Sequence, residues 1–160
     1  MAGTARWQVR GEVDASGIAV RDDGGLDIDY QWRGNLSDEE LSSLTLSYGG
    51  RASVGWWHAI RPHSLGWIAA RPRDGSLVGF VNVAWDGCDH AFLLDPKVRP
   101  DHRRAGIGTE LVRRAAAHAK DAGCEWLHVD FDDDLAPFYY NACGFRPTLA
   151  GLIHLAEPIE

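Results

Sequence analysis

The sequence predicts an α+β fold in which helices flank a mixed, mostly antiparallel central sheet. Residues 67–70, 77–85 and 90–98 are rich in apolar side chains and joined by short turns, so they are predicted to form three consecutive antiparallel strands. A helical pattern at 109–122 follows, and then a further strand at 125–131. Because a strand–helix–strand crossover returns its second strand parallel to the first, the last strand should lie parallel to 90–98.

The first part of the chain supplies shorter elements, and the whole chain, 1–160, is predicted to be a single domain. Residues 1–25 form a short hairpin or a loosely held arm. Residues 26–32 alternate apolar and polar side chains, as a half-buried strand does. Ser37-Asp38-Glu39-Glu40 has the sequence of a capping box and begins a helix that ends near Gly49-Gly50. The aromatic stretch 54–63 is a second helix or an ordered loop.

The remaining elements lie in the C-terminal half. The helix at 109–122 is amphipathic and is followed by Gly123, which suits a helix end. A short helix is expected between Pro137 and Gly144, because proline suits a first turn and glycine an exit. Residues 151–155 are predicted to form an edge strand, through which a homodimer would join. The side chains of the long helix predicted to face inward are Leu111, Val112, Ala115, Ala119 and Ala122, and those facing outward are Arg113, Arg114 and Lys120.

Composition and charge exclude several classes of protein. The net charge of −7 argues against a nucleic-acid surface, which needs clustered basic residues, and it favours cationic substrates. The three cysteines and seven histidines show no metal-ligand spacing, so neither a metal site nor a disulfide framework is predicted. The first residues lack the apolar core of a signal peptide, and no run approaches the length of a membrane span. We therefore expect a cytoplasmic protein with no membrane partner.

The most informative segment is Arg103-Arg104-Ala105-Gly106-Ile107-Gly108-Thr109, between a predicted strand and a predicted helix. Backbone N–H groups converge at such a helix start and the helix dipole adds positive charge, so the segment suits a phosphate or pyrophosphate. A Cβ at either glycine would hold a diphosphate away from these groups. A Rossmann fingerprint would need glycine where Leu111 stands, and a P-loop would need lysine after Gly108. The sequence therefore predicts a phosphate-bearing cofactor of another kind.

The spacing Arg103-x-x-Gly106-x-Gly108 resembles the acetyl-CoA signature of the GNAT superfamily of N-acetyltransferases. A second signature of that family is similar to the segment after the last strand, where Ala136, Tyr140 and Gly144-Phe145 follow in the family's spacing. Asp133 stands where the family has asparagine, so no amide contact to the cofactor is inferred there. The resemblance covers roughly residues 77–145.

The resemblance implies a GNAT-like acyl-CoA N-acyltransferase fold, with a splayed parallel strand pair that holds acetyl-CoA between its strands. It implies that pantetheine pairs with backbone near Val98 and that a backbone N–H polarises the thioester carbonyl. Tyr140 is the expected general acid for the departing thiolate, with Tyr139 as its rival by a slip of one residue. The residues expected to hold the pyrophosphate are Arg103, Arg104, Ala105, Gly106, Ile107, Gly108 and Thr109. No metal is implied.

The sequence defines the acceptor-binding residues less completely than the donor-binding residues. Asp95, His128 and Asp130 are candidates for the general base by their positions on the two splayed strands, and ordered water is a further route. Asp130 belongs to a run of carboxylates that would attract an ammonium group or a polyamine, bind a metal, or form a solvated loop. Trp56 and Trp57 lie where the family builds its acceptor wall, so they contact substrate or pack in the core.

The function that follows is acetyl transfer from acetyl-CoA to a primary amine, most readily that of a small molecule, by direct attack on the thioester. Two alternatives remain: acetylation of a protein N-terminus or lysine, and a non-catalytic acyl-CoA-binding sensor. A small acceptor needs an enclosed pocket and a polypeptide an open groove, and the two tryptophans favour enclosure. A tyrosine at position 140 argues against the sensor.

Overall fold

The computed structural model describes residues 27–156, so the hairpin or arm expected at 1–25 lies outside the described residues. A π-helical segment, Pro137–Ala142, follows the last strand, and Gly144 follows the segment, as expected of a short helix there. The other helices are α1 Asp38–Leu46, α2 Trp56–Ile60 and α3 Ile107–Asp121. The strands are β1 Ile28–Trp32, β2 Ser64–Pro72, β3 Gly79–Trp85, β4 His90–Val98 and β5 Trp126–Val129.

The described strands form one sheet in the order β1-β2-β3-β4-β5. Strands β1 to β4 pair antiparallel with one another, and β5 pairs parallel to β4. The connection between these two strands runs through α3. The mixed, mostly antiparallel sheet with one parallel pair is therefore confirmed.

Each face of the sheet packs against different helices. Because side chains alternate along a strand, β3 sends Val81 and Val83 to the face covered by α3, and Phe80 to the opposite face. On that opposite face, Leu41 and Leu44 of α1 pack with Phe80. Helices α1 and α2 thus cover the face of the sheet away from α3.

Local contacts fix α1 and α2 over the sheet. The predicted capping box is present: Ser37 Oγ accepts from the Glu40 N–H at 3.2 Å, and a Glu40 carboxylate oxygen accepts from the Ser37 N–H at 3.0 Å. The other Glu40 oxygen accepts from Arg71 on β2 at 2.6 Å, which ties α1 to the sheet. Asp38 accepts from the backbone N–H of Trp57 at 2.8 Å and so fixes the start of α2. The capping residues thereby also position α2.

Three expectations need correction. Helix α3 begins at Ile107, two residues before the predicted start, because Gly106 takes a left-handed φ of 78° and directs the chain into the helix. Ala122 is exposed instead of inward-facing, because it is the C-cap residue next to Gly123, whose φ is 96°. Residues 151–155 form no strand, since no described strand pairs with them and an isolated strand has no ladder to stabilise it.

Gly66 is the position where we expect a single methyl group to be most disruptive to the fold. A Cβ at Gly66 on β2 would fall inside the van der Waals radius of the Trp32 indole of β1. We expect Gly66→Ala to lower the free energy of unfolding by about 1–3 kcal/mol, because the ring must move out of a packed position. Urea unfolding measures the loss. Gly151→Ala is the matched control, since a Cβ there meets nothing within 4 Å, and an equal loss in both variants would contradict the prediction.

Candidate active site

The parallel pair of strands separates after a short ladder. The β4–β5 pairing begins at His90 with Trp126 and ends at Leu93 with Val129, while β4 continues to Val98. Residues 94–98 therefore have no partner strand on the β5 side among the described residues. Their backbone groups line a cleft, defined here by residues 94–98 and the end of β5, which can accept an extended ligand as an additional strand.

An irregularity in β4 lies at the mouth of this cleft. The register with β3 shifts between Phe80 and Asn82, so β4 has one more residue than β3 over this stretch. Asp95 lies in that stretch and has a φ of 53°, in the left-handed region that few non-glycine residues adopt. Such a bulge bends a strand and redirects its backbone groups. The departure of β4 from β5 is therefore built into the β4 backbone.

The glycine turn connects the cleft to α3. Gly106 is the N-cap residue of α3, and no side chain caps this helix end. The N–H groups of the first helical turn therefore remain for a ligand. Arg103, Arg104 and Ala105 are exposed, and a Cβ at Gly106 would meet nothing within 4 Å. This open helix end, with two exposed arginines beside it, suits a phosphate or diphosphate group.

Not every residue of the predicted pyrophosphate-binding segment can offer its side chain to a ligand. Ile107 is a core residue, so it can contribute only its backbone. A Cβ at Gly108 would lie 3.3 Å from the Phe138 ring and 3.8 Å from a Val98 methyl group. Gly108 thus allows the start of α3, the end of β4 and the π-helical segment to meet. Thr109 is partly buried in the first turn.

The two tyrosines of the π-helical segment have different environments. Tyr139 is 2% exposed, and its ring stacks on Phe131 with centroids 4.4 Å apart. Burial raises the pKa of Tyr139 to about 12. Tyr140 is 37% exposed and contacts Phe131 edge-on at 5.4 Å. The structure therefore places Tyr139 in the core and leaves Tyr140 accessible on the segment that follows β5.

An open surface adjoins the cleft on the face of the sheet away from α3. The register places Phe92 opposite His128, and Leu94 follows Phe92 by two residues on the same face. Phe92, Leu94 and Trp126 are each about two-fifths to one-half exposed, and His128 is exposed. Helices α1 and α2 do not cover these residues. We call the surface formed by Phe92, Leu94, Trp126 and His128 the open shelf.

Of the two tryptophans of α2, only Trp56 is partly accessible. Trp57 is buried, with its ring edge-on to Trp67 at 4.7 Å and to Phe80 at 5.5 Å, so it packs in the core. Trp56 is partly buried, and Lys97 Nζ lies 4.4 Å from its ring centroid. That cation–π contact ties Trp56 to the strand that lines the cleft.

The three candidate bases also differ. Asp95 lies 3.7 Å from the Lys97 ammonium, and burial lowers the pKa of Lys97. Asp130 is exposed one residue beyond β5. His128 is hydrogen-bonded, with its Nε2 2.8 Å from Nδ1 of His90. Among residues 27–156, no group of three histidine, cysteine or acidic side chains could hold a metal.

Asn82 is a residue near the site that the sequence reasoning missed. Its side chain is fully buried, and neither amide atom has a hydrogen-bond partner in the described part of the chain. It pairs with Leu94 at the edge of the bulge. Leaving such a group unpaired costs about 1–3 kcal/mol. In the sequence, this residue could have been noticed as the one amide side chain within the otherwise apolar stretch 79–85.

A family model for the acetyltransferase (GNAT) family matches residues 29–145. The chain therefore belongs to the GNAT acetyltransferase family. A GNAT-family acetyltransferase from Streptococcus pneumoniae has the same fold, with a TM-score of 0.67 and 23% identity over 79% of this chain and 96% of that one. The aminoglycoside acetyltransferase AAC(6')-Iy, solved with a bisubstrate analogue of coenzyme A, has a TM-score of 0.64 and 19% identity over 79% and 96% of the two chains.

Curated relatives match over shorter stretches. Streptothricin acetyltransferase of Streptomyces lavendulae is 37% identical over 75 residues, which are 45% of this chain and 40% of that protein. Aminoglycoside N(6')-acetyltransferase type 1 of Acinetobacter genomosp. 13 is 40% identical over 60 residues, or 36% and 41% of the two. The chain thus spans about two-fifths of the length of these two relatives. No helix within residues 27–156 has the length and apolarity needed to cross a bilayer.

Proposed function

We propose that this protein transfers the acetyl group of acetyl-CoA to a primary amine of a small molecule. The observation that carries the proposal is the path formed by the unpaired edge of β4, residues 94–98, which leads to the uncapped start of α3. An extended edge can pair with the amides of pantetheine, and a helix N-terminus can bind a diphosphate. In coenzyme A, the pantetheine arm carries the amides and is attached to the diphosphate, so one ligand would occupy both parts of the path.

Donor binding is divided between backbone and side chains. Backbone near Val98 pairs with pantetheine, and the N–H groups of the first turn of α3 bind the pyrophosphate together with exposed Arg103 and Arg104. Acetyl-CoA supplies an acetyl thioester to the reaction. Backbone N–H groups released at the β4 bulge stabilise negative charge as it develops on the carbonyl oxygen.

Acyl transfer then requires two proton movements. The acceptor ammonium must lose a proton before its nitrogen can attack, and the departing thiolate must gain one. We assign the donation of the second proton to the phenol of Tyr140, because its ring is accessible on the π-helical segment that follows β5. Tyr139 packs in the core, so we assign the role of general acid to Tyr140.

The acceptor lies on the open shelf, between the Trp56 edge and Asp130. A small amine is favoured because the relatives named above are acetyltransferases of streptothricin and of aminoglycosides, and the net charge of −7 attracts cations. Asp130 lies exposed at the end of β5, where it can attract an ammonium group. One observation favours a polypeptide acceptor instead, namely that the shelf is open.

The test is release of free thiol from acetyl-CoA with a panel of acceptors. The panel contains streptothricin, an aminoglycoside, simple alkylamines, and peptides with a free N-terminus or lysine. We expect turnover with at least one small amine and much lower turnover with the peptides. Turnover with peptides alone would support the polypeptide alternative. Tight binding of acetyl-CoA without turnover on any amine would overturn the enzymatic proposal and leave the acyl-CoA sensor.

We propose that the whole chain folds as one domain and forms a homodimer through its C-terminal segment, in which Leu149, Leu152, Ile153 and Leu155 are exposed. A dimer that buries these side chains would remove an apolar patch from water. Light scattering after size exclusion measures the mass, and a monomer at micromolar concentration would contradict the dimer. A cytoplasmic location is tested by cell fractionation.

A further inference from the structure

A hydrogen-bonded pair of histidines occupies the open shelf. His90 begins β4 and His128 lies on β5, with 2.8 Å between Nδ1 of His90 and Nε2 of His128. The two rings stack with centroids 5.0 Å apart, and Phe92 stacks on His128 at 4.9 Å. In this contact the nitrogen of one ring donates its N–H and the nitrogen of the other ring accepts it. The contact fixes Nε2 of His128 toward His90 and leaves Nδ1 of His128 for a second partner.

The two histidines lie at different distances from the cleft along the strands. His128 precedes Val129, the last β5 residue in the ladder, so it lies where the strands begin to separate. His90 lies at the other end of the ladder, next to the β3–β4 turn. The pair thus connects the beginning of the cleft with the outer end of the sheet.

We propose that His128 is the general base that deprotonates the acceptor ammonium, and that His90 is a positioning residue that passes the proton to solvent. The proposal rests on the proposed acetyl transfer. Nδ1 of His128 takes one proton from the acceptor nitrogen, which becomes a neutral amine with a free electron pair. His128 then gives its Nε2 proton to Nδ1 of His90, and His90 releases its own Nε2 proton to water. The net change is one proton moved from the acceptor to solvent and a change of tautomer in each ring, which proton exchange with water reverses before the next turnover.

The other candidate bases are less suited to this step. Asp95 lies 3.7 Å from the Lys97 ammonium, so its carboxylate already has a charged partner. Asp130 is exposed to water, and an ordinary imidazole is about 400-fold more basic than an ordinary aspartate carboxylate. Removing a proton from an alkylammonium is uphill for either group, and it is less so for imidazole.

The charges around the pair favour outward movement of the proton. In the β3–β4 turn, Asp86 accepts from the backbone N–H groups of Cys88 at 2.8 Å and His90 at 3.2 Å, and these bonds hold the pKa of Asp86 below its usual range. Asp86 therefore stays ionised, and its negative charge next to the backbone of His90 attracts a proton that moves outward. The other titratable groups on or next to β4 and β5 are Cys88, Asp89, Asp95, Lys97, Cys124, Glu125 and Asp130.

The test compares pH profiles of kcat/KM for the wild-type protein and for the His128→Gln and His90→Gln variants. The substrate is the alkylamine of the panel with the highest turnover. We expect His128→Gln to lower kcat/KM about 10²–10⁴-fold at neutral pH, with partial recovery as pH rises, because the free acceptor then loses its own proton. We expect a smaller loss of kcat/KM for His90→Gln, together with a shift of the acidic limb of its pH profile. The KM for acetyl-CoA should stay unchanged in both.

His118→Gln is the matched control, because His118 lies on α3 and stacks on Trp32 with centroids 4.0 Å apart, away from the shelf. It should keep the wild-type pH profile. A wild-type profile in His128→Gln would overturn the proposal while leaving acetyl transfer intact. Failure of the wild-type protein to turn over any amine would overturn both.

A second readout does not depend on turnover. Imidazole ¹H–¹⁵N correlation spectra should show coupled titration of His90 and His128, with His90 changing its titration in His128→Gln. Independent titration of the two rings would contradict the shared hydrogen bond and with it the proton path. The same spectra show whether each variant is folded.

Discussion

Tyr140→Phe is expected to lower kcat about 10²–10⁴-fold, with little change in the affinity for coenzyme A. The substitution removes one phenolic hydroxyl and keeps the ring that contacts Phe131 at 5.4 Å. Without that proton donor, the sulfur must leave as an unprotonated thiolate or take its proton from water. Steady-state kinetics give kcat, and calorimetric titration with coenzyme A gives Kd.

Tyr139→Phe is the control for this experiment. Its hydroxyl belongs to a ring that is 2% exposed and packed on Phe131, so its removal should alter stability more than catalysis. We expect kcat to remain within tenfold of the wild-type value. If Tyr140→Phe loses tenfold or less and Tyr139→Phe loses more, the general acid is Tyr139 and the assignment is reversed.

Gly106→Ala is expected to weaken the binding of coenzyme A by about 10- to 100-fold. Gly106 has a φ of 78°, and a left-handed conformation costs a residue with a Cβ about 1–2 kcal/mol. Nothing lies within 4 Å of the added methyl group, so the exposed turn can relax in the free protein and must regain its shape when the ligand binds. Since 1.4 kcal/mol is about a factor of ten, strain alone accounts for the lower limit. The methyl group also obstructs the approach of the diphosphate.

Gly87→Ala separates backbone strain from ligand binding. Gly87 also has a left-handed φ, 86°, with nothing within 4 Å of the added Cβ, but it lies in the β3–β4 turn. Both variants place a Cβ on a residue with a left-handed φ, and only Gly106→Ala should lose affinity in calorimetric titration. Equal affinities in the two variants would show that the glycine turn does not bind the donor.

The sequence predicted the sheet well because its signals are local. The capping box at Ser37 and the strand at 90–98 are contiguous patterns, and each forms as expected. The strand predicted at 151–155 does not form, because a strand also needs a neighbour and the pattern carries no information about one. The inward position predicted for Ala122 was wrong because helical periodicity does not show where the helix ends.

The acceptor side was predicted less completely. Trp56 and Trp57 are adjacent in sequence and equivalent in composition, yet one borders the cleft and the other packs on Phe80. Asn82 and His90 were not singled out at all. The position of each residue relative to the site becomes visible only through its partner on the neighbouring strand, Leu94 for Asn82 and His128 for His90.

The sequence by itself determined the family, and it predicted the donor site, because a phosphate-binding turn consists of consecutive residues with glycines at fixed positions. Gly106 and Gly108 carry that information within three positions. Only the tertiary structure decided which tyrosine is accessible and which side chains meet on the open shelf. His90 and His128 are 38 residues apart, and parallel pairing of β4 with β5 across α3 brings them within hydrogen-bond distance. Their contact depends on the register of the two strands, and the sequence predicted the parallel pairing but not its register.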